Sequence, residues 1–195
     1  MMNESWYEVI PAGSPLTQGD LIFDCPLLTW SDRALSPAAE ANEAEHLKGE
    51  IRAFKADVIV MTQACDLEHG KVRNVVLCPH DPLPKFRKSW ENVMAALGHH
   101  ATEKAWRRTC DDLANGHVWN HCFLNSSGHA APPLEIRVVD FHDIFTLPRD
   151  FLEAFLAQSS SPRLRLLPPY REHLSQAFAR FFMRVGLPQS LSKTW

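Results

Sequence analysis

The chain has 195 residues, 45% of them apolar, with a formal net charge of −3 and a sequence pI near 6.3. That length suits one domain with a full hydrophobic core, and that apolar content excludes a disordered chain. The acidic balance excludes a protein whose whole surface tracks nucleic acid, while leaving room for a local basic stripe.

Five cysteines, an odd number without paired spacing, do not make a secreted disulfide framework. The first residues lack a basic segment followed by an apolar one, so no signal peptide is expected. No run of about 18 apolar residues occurs, so neither a membrane span nor a membrane partner is expected. The expectation is a reduced, cytoplasmic protein.

Residues 4–10 read as a short strand and 11–15 as a loop. Residues 18–24 read as a Gly-Asp turn feeding a second strand. Residues 31–50, rich in Ala and Glu with little apolar periodicity, read as an exposed loop holding one helical turn. Ile51 to Met61 returns the chain to the sheet. Within it the apolar run Val58-Ile59-Val60-Met61 has the pattern of a strand buried on both faces. A hairpin follows, with arms 58–62 and 73–78, Thr62 opposite about Arg73 and Val58 opposite about Leu77, and a tip at 68–71. Pro79, Pro82 and Pro84 then stop the sheet.

Trp90, Val93, Met94 and Leu97 recur at helical spacing, which predicts a helix over 89–97 with Ser89 as N-cap and Gly98 as its end. A second helix is predicted over 102–114, stopped by Asn115-Gly116. Strands are predicted over 117–124 and 134–141, with a loop at 126–133 between them. A short helix opens at Pro148. After the linker 159–162 and an extended piece at 163–167, Pro168-Pro169 introduces the most regular helix, 170–185, stopped by Gly186 and Pro188. The organisation expected is a core over 1–158 and a C-terminal helical segment over 159–195, packed on that core or on a partner.

Three groups of residues invite a chemical reading. Cys65 follows the buried run, with Asp66 adjacent and His69 four residues on. That suits a thiolate nucleophile or a metal ligand, while the simpler reading is a small buried residue at a strand end with Asp66 capping the turn. Cys78 and His80 fall at the far end of the hairpin, on the order of 15–20 Å from Cys65 at about 3.3 Å per residue. His117 and His121 share a face, with Cys122 beside them and His99, His100 and Cys110 upstream. These spacings match no zinc motif, and Trp119 and Phe123 make half-buried packing the simpler reading. Ser126-Ser127-Gly128-His129 lacks the context of a nucleophile elbow, and neither a phosphate-binding loop nor a dinucleotide fingerprint is present. No metal and no cofactor is expected.

The C-terminal helix carries two stripes. Leu174, Phe178, Phe181 and Val185 form an apolar one, with Phe182 flanking it. His173, Gln176, Arg180 and Arg184 form a polar, basic one about 120° away. The apolar stripe requires burial on the core or on another chain, which leaves a homo-oligomer open. The basic stripe suits phosphates, an acidic partner, or plain solvent.

Residues 57–67 and 169–188, with their TQACDL and PYREHLSQAFARFFMRVGLP motifs, resemble a group of bacterial proteins without an established activity. That likeness implies a family and no function. Gly19-Asp20-Leu21-Ile22-Phe23, Val58 to Thr62 and Asn74 to Pro79 are similar to the opening and central strands of the PemK/MazF toxins, small SH3-like barrels that cut RNA. The similarity spans about the first 80 residues. It departs at Phe54-Lys55-Ala56-Asp57, where the family has Arg-Arg-Pro, and at His80-Asp81, where it has Thr-Ser. Those positions carry the family's catalytic groups, so the resemblance implies the fold more than the nuclease activity.

The fold expected is therefore α+β: a small SH3-like β-barrel core with peripheral helices and a C-terminal amphipathic helix. The leading function is a nucleic-acid-directed protein of toxin or defence type. As a metal-independent endoribonuclease it would use the RNA 2′-hydroxyl as nucleophile. His80 or Asp81 would then be acid and base, and Arg52 or Lys55 would stabilise the phosphorane; Arg180 and Arg184 would bind the strand. Two alternatives stand beside it: a non-catalytic interaction module docking a protein through the C-terminal helix, and a cysteine-dependent hydrolase or transferase using Cys65 and His69.

Overall fold

A computed structural model describes residues 5–31, 50–128, 133–159 and 161–183. The strands are β1 (Tyr7–Ile10), β2 (Asp20–Trp30), β3 (Ile51–Val60), β4 (Asn74–Pro82), β5 (His121–Leu124), β6 (Arg137–Asp140), β7 (Phe145–Pro148) and β8 (Arg163–Leu166). The helices are α1 (Ala64–Glu68), α2 (Leu83–Ala96), α3 (Glu103–Ala114), α4 (Arg149–Gln158) and α5 (Tyr170–Phe182). All strand pairings are antiparallel, in the order β1-β8-β2-β3-β4-β6-β5, with β7 also on β4. The protein is thus mixed α and β, as expected. The sheet path is open, ending at β1 and β5, and closure into a small barrel is not seen among the described residues.

The central strands are covered on both faces because successive side chains point opposite ways. Ile59 and Met61 join Leu21, Cys78, Val139, Phe141, Leu166 and Leu174 in one core, which α5 covers with Ala177, Phe178 and Phe181. Val58 and Val60 join Ile22, Leu27, Leu67, Val75, Leu77 and Leu152 in the other, beneath α1 and α4. Residues 163–182 supply β8 to the interior of the sheet order and α5 to its face. Among the described residues, no helix is long and apolar enough to cross a membrane.

Several expectations need correction. The β3–β4 register pairs Val58 with Pro79 and Val60 with Leu77, two residues from the expected alignment. The connection is not a tight tip: α1 occupies it, and the Val76 amide donates to Thr62 Oγ1 at 2.7 Å. Pro79 and Pro82 do not stop the sheet. The Pro79 nitrogen falls between the ends of β7 at Leu77 and β6 at His80, where no neighbouring strand needs a donor, and Pro82 lies past the end of the β3 ladder. Pro84 opens α2 within its first turn, so that helix begins at Leu83 and Ser89 is interior to it. The strand expected over 117–124 is β only from His121, because His117 is held by the Asp112 carbonyl at the end of α3. The expectations for most of 31–50, for part of the 126–133 loop, and for Arg184, Val185, Gly186 and Pro188 lie outside the described residues.

Candidate functional site

Cys65 is exposed at the start of α1, which corrects the reading of it as a buried strand-end residue. Its thiol meets Gln63 Oε1 and Asp66 Oδ1, each at 3.8 Å. His69 closes α1 through its backbone amide, which donates to the Cys65 carbonyl at 3.1 Å, and among the described residues no side-chain hydrogen bond joins the two.

His80 is buried, and it meets Arg137 rather than a substrate cleft. Arg137 Nε donates to His80 Nδ1 at 2.6 Å, and Arg137 Nη2 pairs with Asp57. A β-bulge shapes this corner: between Ile22 and Cys25, β2 carries one residue more than β3. Asp24 there has φ 51°, and its amide donates to Asp57 Oδ1 at 3.0 Å. Phe23 packs edge-on to His80 and lies under the Arg137 guanidinium. Burial, then the Arg137 charge, holds the His80 pKa well below 6.5, against the opposing pull of the Val58 and His80 backbone. The imidazole is neutral, with Nδ1 accepting and Nε2 carrying the proton.

Asp81 is half-exposed and paired with Lys85 at 2.7 Å. Arg52 and Lys55, three apart on β3, fall on opposite faces of the strand. The structure therefore does not bring His80, Asp81, Arg52 and Lys55 together around one phosphate. His121 Nε2 lies 3.8 Å from Asp140, and His117 Nδ1 lies 3.5 Å from Asp112. No group of His, Cys, Asp and Glu among the described residues could hold a metal ion.

What the structure does assemble is a groove of about 530 Å³ around β5. One wall is α5, contributing Tyr170, His173, Gln176 and Arg180. The polar stripe of the C-terminal helix thus faces a cavity as far as Arg180. The opposite wall is the end of α3 and the turn after it, with Leu113, Gly116 and Trp119; His121 to Asn125 make the floor. Trp6 stacks on Tyr170 at 4.1 Å, and Trp119 stacks on Phe181 at 5.7 Å. Burial pushes the Cys122 thiol up to about 12, and the nearby Arg180 charge opposes that rise. His121 is shifted down, by burial first and then by His142, against Asp140.

The charge pattern of this groove is one-sided. Its lining holds one arginine and two histidines and no carboxylate, although the chain carries 23 Asp and Glu residues against 20 Lys and Arg. Among the described residues Arg180 makes no ion pair, whereas Arg137, Arg149, Arg163 and Arg165 each do. Sequence reasoning found the helix wall from its period. It missed the floor and the opposite wall, because their position depends on the sheet order. No model of a known protein family matches the chain, and no curated protein matches it.

Proposed function

We propose that the chain is a non-catalytic interaction module whose docking surface is the groove between α5 and β5, and that its ligand is anionic. The observation that carries this reading is the lining: Arg180, outside any ion pair among the described residues, in a cavity without a carboxylate and in a chain of net negative charge. A groove of one sign with low-dielectric walls selects ligands of the other sign. The nuclease alternative draws no support from His80, which is buried, neutral and bound to Arg137. The cysteine alternative draws none from Cys65, which has no histidine side chain hydrogen-bonded to it among the described residues.

A nucleic-acid-directed role is the second reading, favoured by the rings of Trp6, Trp119, Phe123 and Tyr170 in the same lining. Bases stack on aromatic faces. Two of these rings already have one face covered, by Tyr170 on Trp6 and by Phe181 on Trp119, and a single arginine is a small complement for a polyanion.

The test is fluorescence anisotropy with a labelled oligoglutamate and a labelled single-stranded RNA. Arg180→Gln should weaken the glutamate probe about two- to fivefold. Arg107→Gln, on an exposed side chain outside the groove lining, should leave it unchanged. Tighter binding of RNA, lost in Arg180→Gln, would put the second reading first. Equal binding by wild type and Arg180→Gln would remove the groove as the site.

A further inference from the structure

The floor of the groove is the terminal strand of the sheet, so one edge of β5 has no neighbouring strand among the described residues. Which backbone groups point out of that edge follows from the ladder. In an antiparallel pair, bonded and non-bonded residue pairs alternate. The Phe141 amide donates to the Asn120 carbonyl at 3.0 Å, so Asn120 and Phe141 are a bonded pair. By alternation Cys122–Val139 and Leu124–Arg137 are bonded too, and His121 and Phe123 turn their backbone groups away from β6. The next ladder agrees. The Leu83 amide donates to the Ile136 carbonyl, which directs Val138 toward β4 rather than toward Phe123.

The alternation holds to the end of β5 at Leu124; beyond it Ser127 and Leu134 exchange both bonds. One outward group is already used, the His121 amide, which reaches the Val118 carbonyl at 3.4 Å. That leaves the His121 carbonyl and both backbone groups of Phe123. Among the described residues none of these has a backbone partner, and the Phe123 carbonyl is approached only by the Cys122 thiol at 3.8 Å. They have the spacing of one added strand, and both residues line the cavity. An unpaired edge of this kind is a template for an extended segment, and helix walls beside it read that segment's side chains.

Resting on the groove reading, we infer that the ligand is an extended acidic segment of a partner protein, which binds by adding a strand to the free edge of β5. Main-chain bonds to His121 and Phe123 hold it. Its acidic side chains meet Arg180 and His173 on the α5 wall. The residues that follow α5 in this chain are a poor occupant on charge, since 184–195 contain Arg184 and Lys193 and neither Asp nor Glu.

The experiment screens wild type against a synthetic array of peptides of about eight residues carrying Glu at alternate positions, beside a matched Lys array. The tightest Glu peptide is then remade with N-methyl groups on its odd or on its even residues. Strand addition uses only every second peptide amide. One methylated form should therefore bind like the parent, and the other about tenfold more weakly. Binding of the parent should also slow exchange of the Phe123 amide, followed by NMR, at least about tenfold. If both methylated forms bind like the parent while Arg180→Gln still weakens all three, strand addition is wrong and the anionic groove stands. If no Glu peptide binds, or the Lys array binds better, the partner class falls with the groove reading. Self-association that protects the Phe123 amide in the absence of peptide would name a second copy as the occupant and overturn the partner-chain inference.

Discussion

Arg163 and Arg180 are the same residue type under opposite rules. Arg163 is buried on β8 and donates through Nε to Asp20 at 2.9 Å and through Nη2 to the Ser14 and Pro15 carbonyls. Arg165 binds the same carboxylate at 2.5 Å and 3.1 Å, and the Thr17 amide adds a bond at 3.1 Å. Asp20 is thereby fully buried with its oxygens occupied. Arg180 lies exposed over β5 and makes no ion pair among the described residues. The first arrangement fixes β8 against β2 and leaves nothing to offer a ligand. The second adds little to the fold and leaves a charge available. Buried polar groups that satisfy one another therefore locate the framework, and polar groups left over in a cavity locate the site.

The largest test of that contrast is Asp20→Ala. It leaves Arg163 buried without its carboxylate, and removing one partner of a buried ion pair costs about 3–5 kcal/mol. Urea unfolding should show the loss as a lower midpoint at unchanged slope. A loss under about 1 kcal/mol would mean that the β2–β8 seam is not held by this network.

The Asp57–Arg137–His80 corner gives a test of intermediate size, through pH. Folded His80 stays neutral because burial and Arg137 hold its pKa well below 6.5, whereas the unfolded side chain takes up a proton as pH falls through about 6.5. The unfolded state then binds more protons, so stability falls as pH falls, with a slope approaching about 1.4 kcal/mol per pH unit from this one group. His121, also shifted down, adds a contribution of the same sign. In His80→Asn the amide oxygen replaces Nδ1 as acceptor for Arg137. That variant should show a flatter dependence below about pH 6.5, measured as unfolding free energy at several pH values. Parallel wild-type and variant curves would show that His80 is not held neutral.

How much of this was legible in the sequence divides along the same line. The two-faced burial of Val58 to Met61 could be read because alternation and apolarity are local properties. The wall of the groove could be read because His173, Gln176 and Arg180 repeat at helical spacing. The burial of His80 could not be, since its neutralising partner Arg137 lies 57 residues away and is brought in by the β4–β6 pairing. The open edge of β5 was illegible for the same reason, as a strand's neighbours are set by sheet order and not by its own residues. The hairpin register slipped because the connection was read as a tip, whereas Ala64–Glu68 forms a helical turn that places Leu67 in the core.

The smallest expected effect is the sharpest comparison. Arg180→Gln removes a positive charge from the groove wall without breaking any ion pair among the described residues, so stability should change by about 0.5 kcal/mol or less. Helix propensity favours neither residue, since Arg and Gln are similar helix formers. The α5 packing that matters lies on the other stripe, where Leu174 is buried and Phe178 meets Phe141 edge-on at 5.4 Å. The same substitution at Arg163 should cost several times more, because Gln cannot reach Asp20 and the two loop carbonyls together. Unfolding curves of Arg180→Gln and Arg163→Gln, measured side by side, decide whether the two arginines differ as described. Equal losses would mean that Arg180 is part of the framework, and the groove would then lose the charge on which its assignment as a docking site rests.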